Sequence, residues 1–303
     1  MPCKGVYETL KDLNISDNPP WRNNTDEKAP TTSQMLQSIA SDSNSYNTQS
    51  PHYKKKLEEL KSKFILNSNL GENEGTLTME STKIALEKIN DQNVNSKEQV
   101  SINLLRAMNH LIERNSGKDK GLLEVEECIQ DTHKILMKNL LPLDKCGRFS
   151  TERRIASDDD HEFPKFDTEE DAFKEVQTIV DDYNSTIDYI KNSDLEGSER
   201  CLMYFKSAAW ILFKFVDLHP FSDGNGRMCR LLASRCLYLI FPFPCPIYNI
   251  YAPTKRYDYL SAIKTARAKD GKDVGDLVAL LIESGWHTSK YFHELLSTNQ
   301  LIN

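Results

Sequence analysis

The chain lacks most of the features that would assign it quickly. No Cys-x-x-Cys pair occurs among its seven cysteines, which are scattered and odd in number. That usage suggests reduced thiols in the cytosol or nucleus rather than a disulfide framework. No apolar run is long and clean enough for a membrane span: the longest, residues 231–248, contains Arg235 and three prolines. The first residues carry no charged-then-apolar targeting pattern. Acidic residues outnumber basic ones, 45 to 38, for a formal net charge of −7, so no global basic field draws the chain to nucleic acid. Neither a P-loop (GxxxxGK[ST]) nor a dinucleotide GxGxxG is present, and no fixed-period repeat appears. These absences predict a soluble intracellular protein with neither membrane nor nucleic acid as a partner. Its 303 residues are enough for one large domain or two ordinary ones.

What is present is helical periodicity interrupted by one irregular stretch. Residues 1–52 are rich in Ser, Asn, Thr, Asp and Pro and read as a largely disordered polar tail. From 53 a helix begins, with Leu57, Leu60 and Phe64 on one stripe, and the Asn, Ser and Gly content of 65–75 marks its end. Thr78 is placed to cap a helix over 79–90 with Ile84, Leu86 and Ile89 inward. Further helices are predicted at 98–114, 122–141, 169–192, 199–218, 226–240, 256–269, 273–285 and 286–297. Residues 143–168 have weak apolar periodicity and frequent turn residues, which suits a β-hairpin flap. The expected fold is all-α with one short β-hairpin.

The helix over 199–218 is apolar almost all round, as a central buried helix would be. It runs into Leu218-His219-Pro220-Phe221-Ser222-Asp223-Gly224-Asn225-Gly226-Arg227-Met228-Cys229-Arg230, where chemistry-bearing residues concentrate. The next helix begins in this stretch, and its first turn leaves backbone N–H groups unpaired at the positive end of the helix dipole. Gly224 and Gly226 let backbone approach a ligand, and Asn225 can cap the turn or orient the loop. Together these form an anion nest suited to phosphate. Arg227 and Arg230 lie three residues apart near that terminus and suit further phosphates. Asp223 can supply an oxygen to Mg²⁺, and a neutral His219 can accept the proton of an incoming hydroxyl. The natural occupant is a nucleotide polyphosphate with Mg²⁺.

The twelve residues from His219 to Arg230 resemble the Fic-domain motif HxFx(D/E)GNGRxxR at every fixed position. The resemblance implies a mainly helical Fic fold and transfer of AMP from ATP, with Mg²⁺ or Mn²⁺, to a hydroxyl side chain of a protein. It implies His219 as general base, Asp223 as metal ligand, Gly224, Asn225 and Gly226 as the phosphate nest, Arg227 and Arg230 as clamps for the outer phosphates, and Phe221 as the loop's anchor. The segment from Arg154 to Pro164 would be the flap that aligns the target by strand addition.

Upstream, Ser68-Asn69-Leu70-Gly71-Glu72-Asn73 resembles the family's inhibitory pattern (S/T)xxxE(G/N), which implies pairing of Glu72 with Arg230. Glu74 is the rival carboxylate. The domain reading is therefore 1–52 tail, 53–97 inhibitory helix and N-terminal helices, and 98–303 Fic-type catalytic domain, with a homodimer open. Three alternatives stay open: removal of AMP from a modified target at the same site, transfer of another group such as UMP, phosphate or phosphocholine, and a non-catalytic nucleotide-binding adaptor.

Overall fold

The computed structural model describes residues 4–22, 29–43, 45–46, 48, 51–113, 120–156, 160–247, 255–271 and 273–297. Among these the α-helices are α1 (Tyr7–Lys11), α2 (Thr32–Asp42), α3 (Pro51–Glu72), α4 (Met79–Glu87), α5 (Ser96–Glu113), α6 (Asp131–Leu136), α7 (Glu169–Lys191), α8 (Gly197–Leu218), α9 (Asn225–Leu237), α10 (Lys255–Ala268) and α11 (Gly275–Ser297). A π-helical turn, Val125–Gln130, leads directly into α6. Among the described residues no helix is long and apolar enough to cross a membrane.

The centre is the antiparallel pair α8 and α9. Every residue of α9 except Gly226 is buried, and so is one unbroken stretch of α8 from Met203 to Phe213. Helices α1, α2, α7 and α11 pack on α8, while α3 and α5 pack on α9. The connection between the two central helices is only six residues, so the C-terminus of one and the N-terminus of the other must face the same space.

Several expectations need correction. The first 52 residues are not a free tail. Tyr7, Leu10, Met35, Leu36 and Ile39 are buried in the main core, and Trp21 Nε1 donates to Glu283 Oε2 at 2.7 Å. Composition misled because these few apolar side chains need no core of their own; they complete one supplied by α8 and α11. A capping box between Thr31 and Gln34 then starts α2. Residues 1–3, 23–28, 44, 47, 49 and 50 of that segment lie outside the described residues.

The expected hairpin is reduced to a single antiparallel bridge, Ile155 to Glu162, with no strand among the described residues; Ser157, Asp158 and Asp159 at its turn lie outside them. Packing replaces the missing ladder: the buried Arg154 guanidinium donates to the carbonyls of Ser150 and Glu152 at 2.8 Å each, and to Pro164. Arg154 is thus a brace at the flap's base.

Helix α3 continues through the polar stretch to Glu72, because Ile65 and Ser68 are buried there and Gly71 is tolerated inside the last turn. Thr78 caps α4 as expected, but Ile84 is 46% exposed and Thr82 and Ala85 face inward instead. The helix expected over 122–141 is the π turn plus α6, and the two helices expected over 273–297 are one.

Replacing Ile39 by Ala should lower the unfolding free energy by about 2–5 kcal/mol, the usual cost of emptying a buried aliphatic site. Denaturant unfolding of the full chain measures this, and no change would restore the tail.

Candidate active site

Helix α8 delivers His219. The residue is the helix's C-cap in a left-handed conformation (φ 51°, ψ 55°), with its N–H still bonded to the Phe215 carbonyl at 3.0 Å. Such backbone is uncommon for a residue with a Cβ. It also precedes Pro220, which disfavours continuing the helix. The chain therefore turns sharply there. His219 Nδ1 lies 3.3 Å from the Val216 carbonyl. A carbonyl can only accept, so Nδ1 carries the proton and Nε2 keeps its lone pair. Phe163 from the flap stacks on the imidazole, ring centres 3.8 Å apart and planes 15° apart. Burial is the main reason the ring's pKa falls to about 4; Arg154 and Arg267 push the same way, against the Val216 carbonyl and Glu72. The imidazole is thus neutral at physiological pH, as a proton acceptor must be.

The loop after it is held by its own residues. Asn225 Oδ1 accepts the Phe221 N–H at 2.9 Å and its Nδ2 donates to the Phe221 carbonyl at 2.8 Å, so this amide closes the loop. Phe221 is fully buried, stacked on His133 with ring centres 3.6 Å apart. Gly224 has φ 77°, and a Cβ there would lie 2.8 Å from Met137 Sδ. Asp223 keeps 54% of its side-chain surface exposed, and its Oδ1 accepts the Gly224 N–H at 2.5 Å. A single half-exposed carboxylate beside a helix N-terminus fits Mg²⁺, which keeps most of its waters and takes one or two protein carboxylates.

Both arginines are buried on the first turns of α9. Arg230 reaches back to α3: Nη2 lies 2.5 Å from Glu72 Oε1, Nε donates to Ser68 Oγ at 3.1 Å, and Nη2 to the Ser68 carbonyl at 3.3 Å. Arg227 Nη2 meets Glu74 Oε2 at 3.2 Å and lies 3.9 Å from Asp223 Oδ1. Its Nε and Nη1 are buried with no hydrogen-bond partner, a deficit an anionic ligand would remedy. The two glutamates are therefore not rivals for one cation; each faces its own arginine.

Burial raises the Glu72 carboxyl, but Arg230, Arg227 and Arg256 outweigh it and hold the group below its ordinary value. A Cβ added at Gly226 would run into Glu72 Oε1, so this carboxylate lies against the first turn of α9, where a phosphate would bind. One backbone turn and one hydrogen bond hold it there. Asn73 ends α3 in the left-handed region (φ 55°), a position that favours Gly or Asn. Arg256 Nε donates to the Gly71 carbonyl at 2.8 Å.

The open cavity of about 270 Å³ beside these groups is lined by Glu72, His219, Gly226 and Arg230, by Ile155 of the flap, and by α10 through Arg256, Tyr259, Leu260, Ile263 and Lys264. Spacing along the chain did not reveal His133, Phe163 or Arg256 as parts of this site. A ring that stacks across a loop leaves no periodic signal.

Residues 123–237 match the Fic/DOC family. Over that segment the chain is similar to Fic-domain proteins. A Fido domain-containing protein of Dictyostelium discoideum is 39% identical over 80 residues, 25% of this chain and 52% of that protein. The protein adenylyltransferase Fic of Aedes aegypti is 46% identical over 55 residues, 18% of this chain and 11% of that protein. The chain thus spans about half, or much less, of the curated relatives it matches. The fold is that of Fic-1 (residues 134–508) from C. elegans, with a TM-score of 0.66 at 18% identity, over 87% of this chain and 71% of that one. Proteins with a Fic domain are typically nucleotidyltransferases.

Burial likewise brings His133, which stacks on Phe221, to a pKa of about 4. Ring signals of His133 and His219 should titrate near that value in nuclear magnetic resonance, well below the ordinary 6.5. The unfolded chain then binds more protons over this interval, so stability should fall as pH drops from about 6.5 towards 4. Ordinary midpoints for both rings would contradict the buried site.

Proposed function

We propose that the chain is a protein adenylyltransferase held in check by its own α3 helix. The observation that carries this reading is the Glu72–Arg230 pair, an internal anion standing at the N-terminus of α9 beside His219. With Glu72 displaced, the Gly224–Gly226 backbone and the Arg230 guanidinium are available to ATP phosphates beside the unpaired Nε and Nη1 of Arg227, and Leu260 and Ile263 offer apolar surface to the nucleoside. Asp223 would hold Mg²⁺ or Mn²⁺, which supplies neutralisation of phosphate charge. His219 Nε2 takes the proton of a Ser, Thr or Tyr hydroxyl. That oxygen forms a bond to the α-phosphorus, and the bond to pyrophosphate breaks. With Glu72 in place, Arg230 is engaged elsewhere, so bound ATP lacks one clamp and the geometry for in-line attack.

The flap supports a protein target. The hydrogen bonds Ala156 N–H to His161 O (2.8 Å) and Phe163 N–H to Arg154 O (3.0 Å) flank the Ile155–Glu162 bridge. Ile155 is therefore in the non-hydrogen-bonded position, with its own N–H and C=O turned away from Glu162. An extended target segment could pair with that edge next to the cavity. Glu72 and His219 line the same cavity, which also favours a second activity in which a water removes AMP from the modified target.

Incubation with Mg²⁺ and ATP labelled in the α-phosphate separates these readings. Glu72→Gly should raise self-labelling by at least tenfold, the factor that about 1.4 kcal/mol represents. Adding His219→Ala should abolish it. Glu74→Gly should raise labelling less, since Glu74 is half-exposed and faces Arg227. No labelling from any glutamate variant would favour an adaptor; AMP released from a labelled target by the wild type and not by Glu72→Gly would favour removal. In a separate test, Ile155→Pro deletes the outward N–H and should lower transfer to a protein target while ATP binding stays unchanged.

A further inference from the structure

His133 lies outside the loop that carries the chemistry, yet one imidazole touches it at two points. The ring is fully buried on α6. Its Nδ1 accepts the Gly147 N–H at 2.9 Å, which leaves the proton on Nε2, and Nε2 donates to the Asp223 carbonyl at 3.0 Å. The ring face lies parallel to Phe221, planes 2° apart. The same side chain therefore holds the anchor of the loop and the peptide that follows its carboxylate.

That peptide is the one with freedom to turn. Gly224 is left-handed (φ 77°, ψ 2°), and a glycine there lets the Asp223–Gly224 amide plane rotate at little cost. Asn225 holds the loop only at Phe221. Among the hydrogen bonds of the described residues, only the one from His133 holds the Asp223 carbonyl, directing it inward. With the carbonyl inward, the Gly224 N–H is left to Asp223 Oδ1, and the carboxylate stays at the mouth of the α9 N-terminus. Gly147 also ties this arrangement to the flap, because three residues later Ser150 N–H donates to the Pro220 carbonyl at 2.8 Å.

We propose that His133 is a positioning residue that sets the orientation of the Asp223 carboxylate, and so the affinity of the loop for a divalent cation. The inference rests on the proposed function in that Asp223 is taken as the metal ligand.

The full chain carrying Glu72→Gly is compared with its His133→Gln, His133→Asn and His133→Ala derivatives. The glutamine nitrogen can occupy the place of Nε2 and donate to Asp223; the asparagine amide reaches only the place of Nδ1. Two quantities are read besides transfer: hydrogen exchange of the loop amides without ligand, and the dissociation constant of Mn²⁺–ATP by calorimetry and electron paramagnetic resonance. His133→Ala and His133→Asn should speed loop exchange and weaken Mn²⁺–ATP by about 10–100-fold, the usual effect of removing a group behind a metal ligand. His133→Gln should recover most of both. Equal behaviour of the Gln and Asn derivatives, or an unchanged Mn²⁺–ATP constant, would overturn the assignment, as would absence of Mn²⁺–ATP binding to the Glu72→Gly chain. If Ala fails to fold, the Gln–Asn comparison decides alone. If Mn²⁺–ATP binding follows the His133 series while no variant transfers AMP, the adenylyltransferase reading fails and the role of His133 stands.

Discussion

A guanidinium left 2% exposed, as Arg230 is, cannot remain without an anion. Stripping a buried charge of its partner is strongly destabilising, typically by about 3–5 kcal/mol. The position on α9 offers two ways to meet that demand: the carboxylate of Glu72 with the hydroxyl and carbonyl of Ser68, or a phosphate bound at the helix N-terminus. Both would occupy the same space against Gly226. On the proposed function, an internal anion and a ligand anion compete for one buried cation, and the surrounding structure would keep the two alternatives mutually exclusive.

Helix ends do that work. Three left-handed residues, Asn73, His219 and Gly224, sit at the ends of α3, α8 and α9, and each aims a terminus at the cavity. Asn73 stops α3 just after Glu72. His219 stops α8 so that its ring leaves the helix and meets Phe163. Gly224 lets the chain reverse into α9 against Met137, where any side chain would collide. The buried network of Asn69, Thr76, Thr82 and Ser101 then secures the chain after α3, with Asn69 Nδ2 donating to Ser101 Oγ at 2.8 Å and Thr76 Oγ1 2.7 Å from Thr82 Oγ1.

Much of this was legible in the chain. The all-round apolar character of 199–218 announced a central helix, and the order His, Gly-rich turn, two arginines announced an anion site at a helix start. Both are local properties, set by periodicity and backbone freedom. The failures were of another kind. The first 52 residues looked too polar to order, although Met35 and Ile39 are buried against helices far along the chain. The flap was given a ladder that braces from Arg154 make unnecessary. The π turn before α6 shifts the register that a single α-helix over 122–141 would have had.

By itself the sequence determined which residues could do the chemistry, because the motif packs base, carboxylate, glycines and arginines into twelve contiguous positions whose spacing is a matter of covalent geometry. Only the tertiary structure decided which carboxylate meets which arginine, that Asn225 closes the loop, and that His133 and Phe163 bracket it. Those choices depend on how α3, α6 and the flap pack around α8 and α9. Contacts made across 162 positions, as between Ser68 and Arg230, are set by packing and leave no period in the chain.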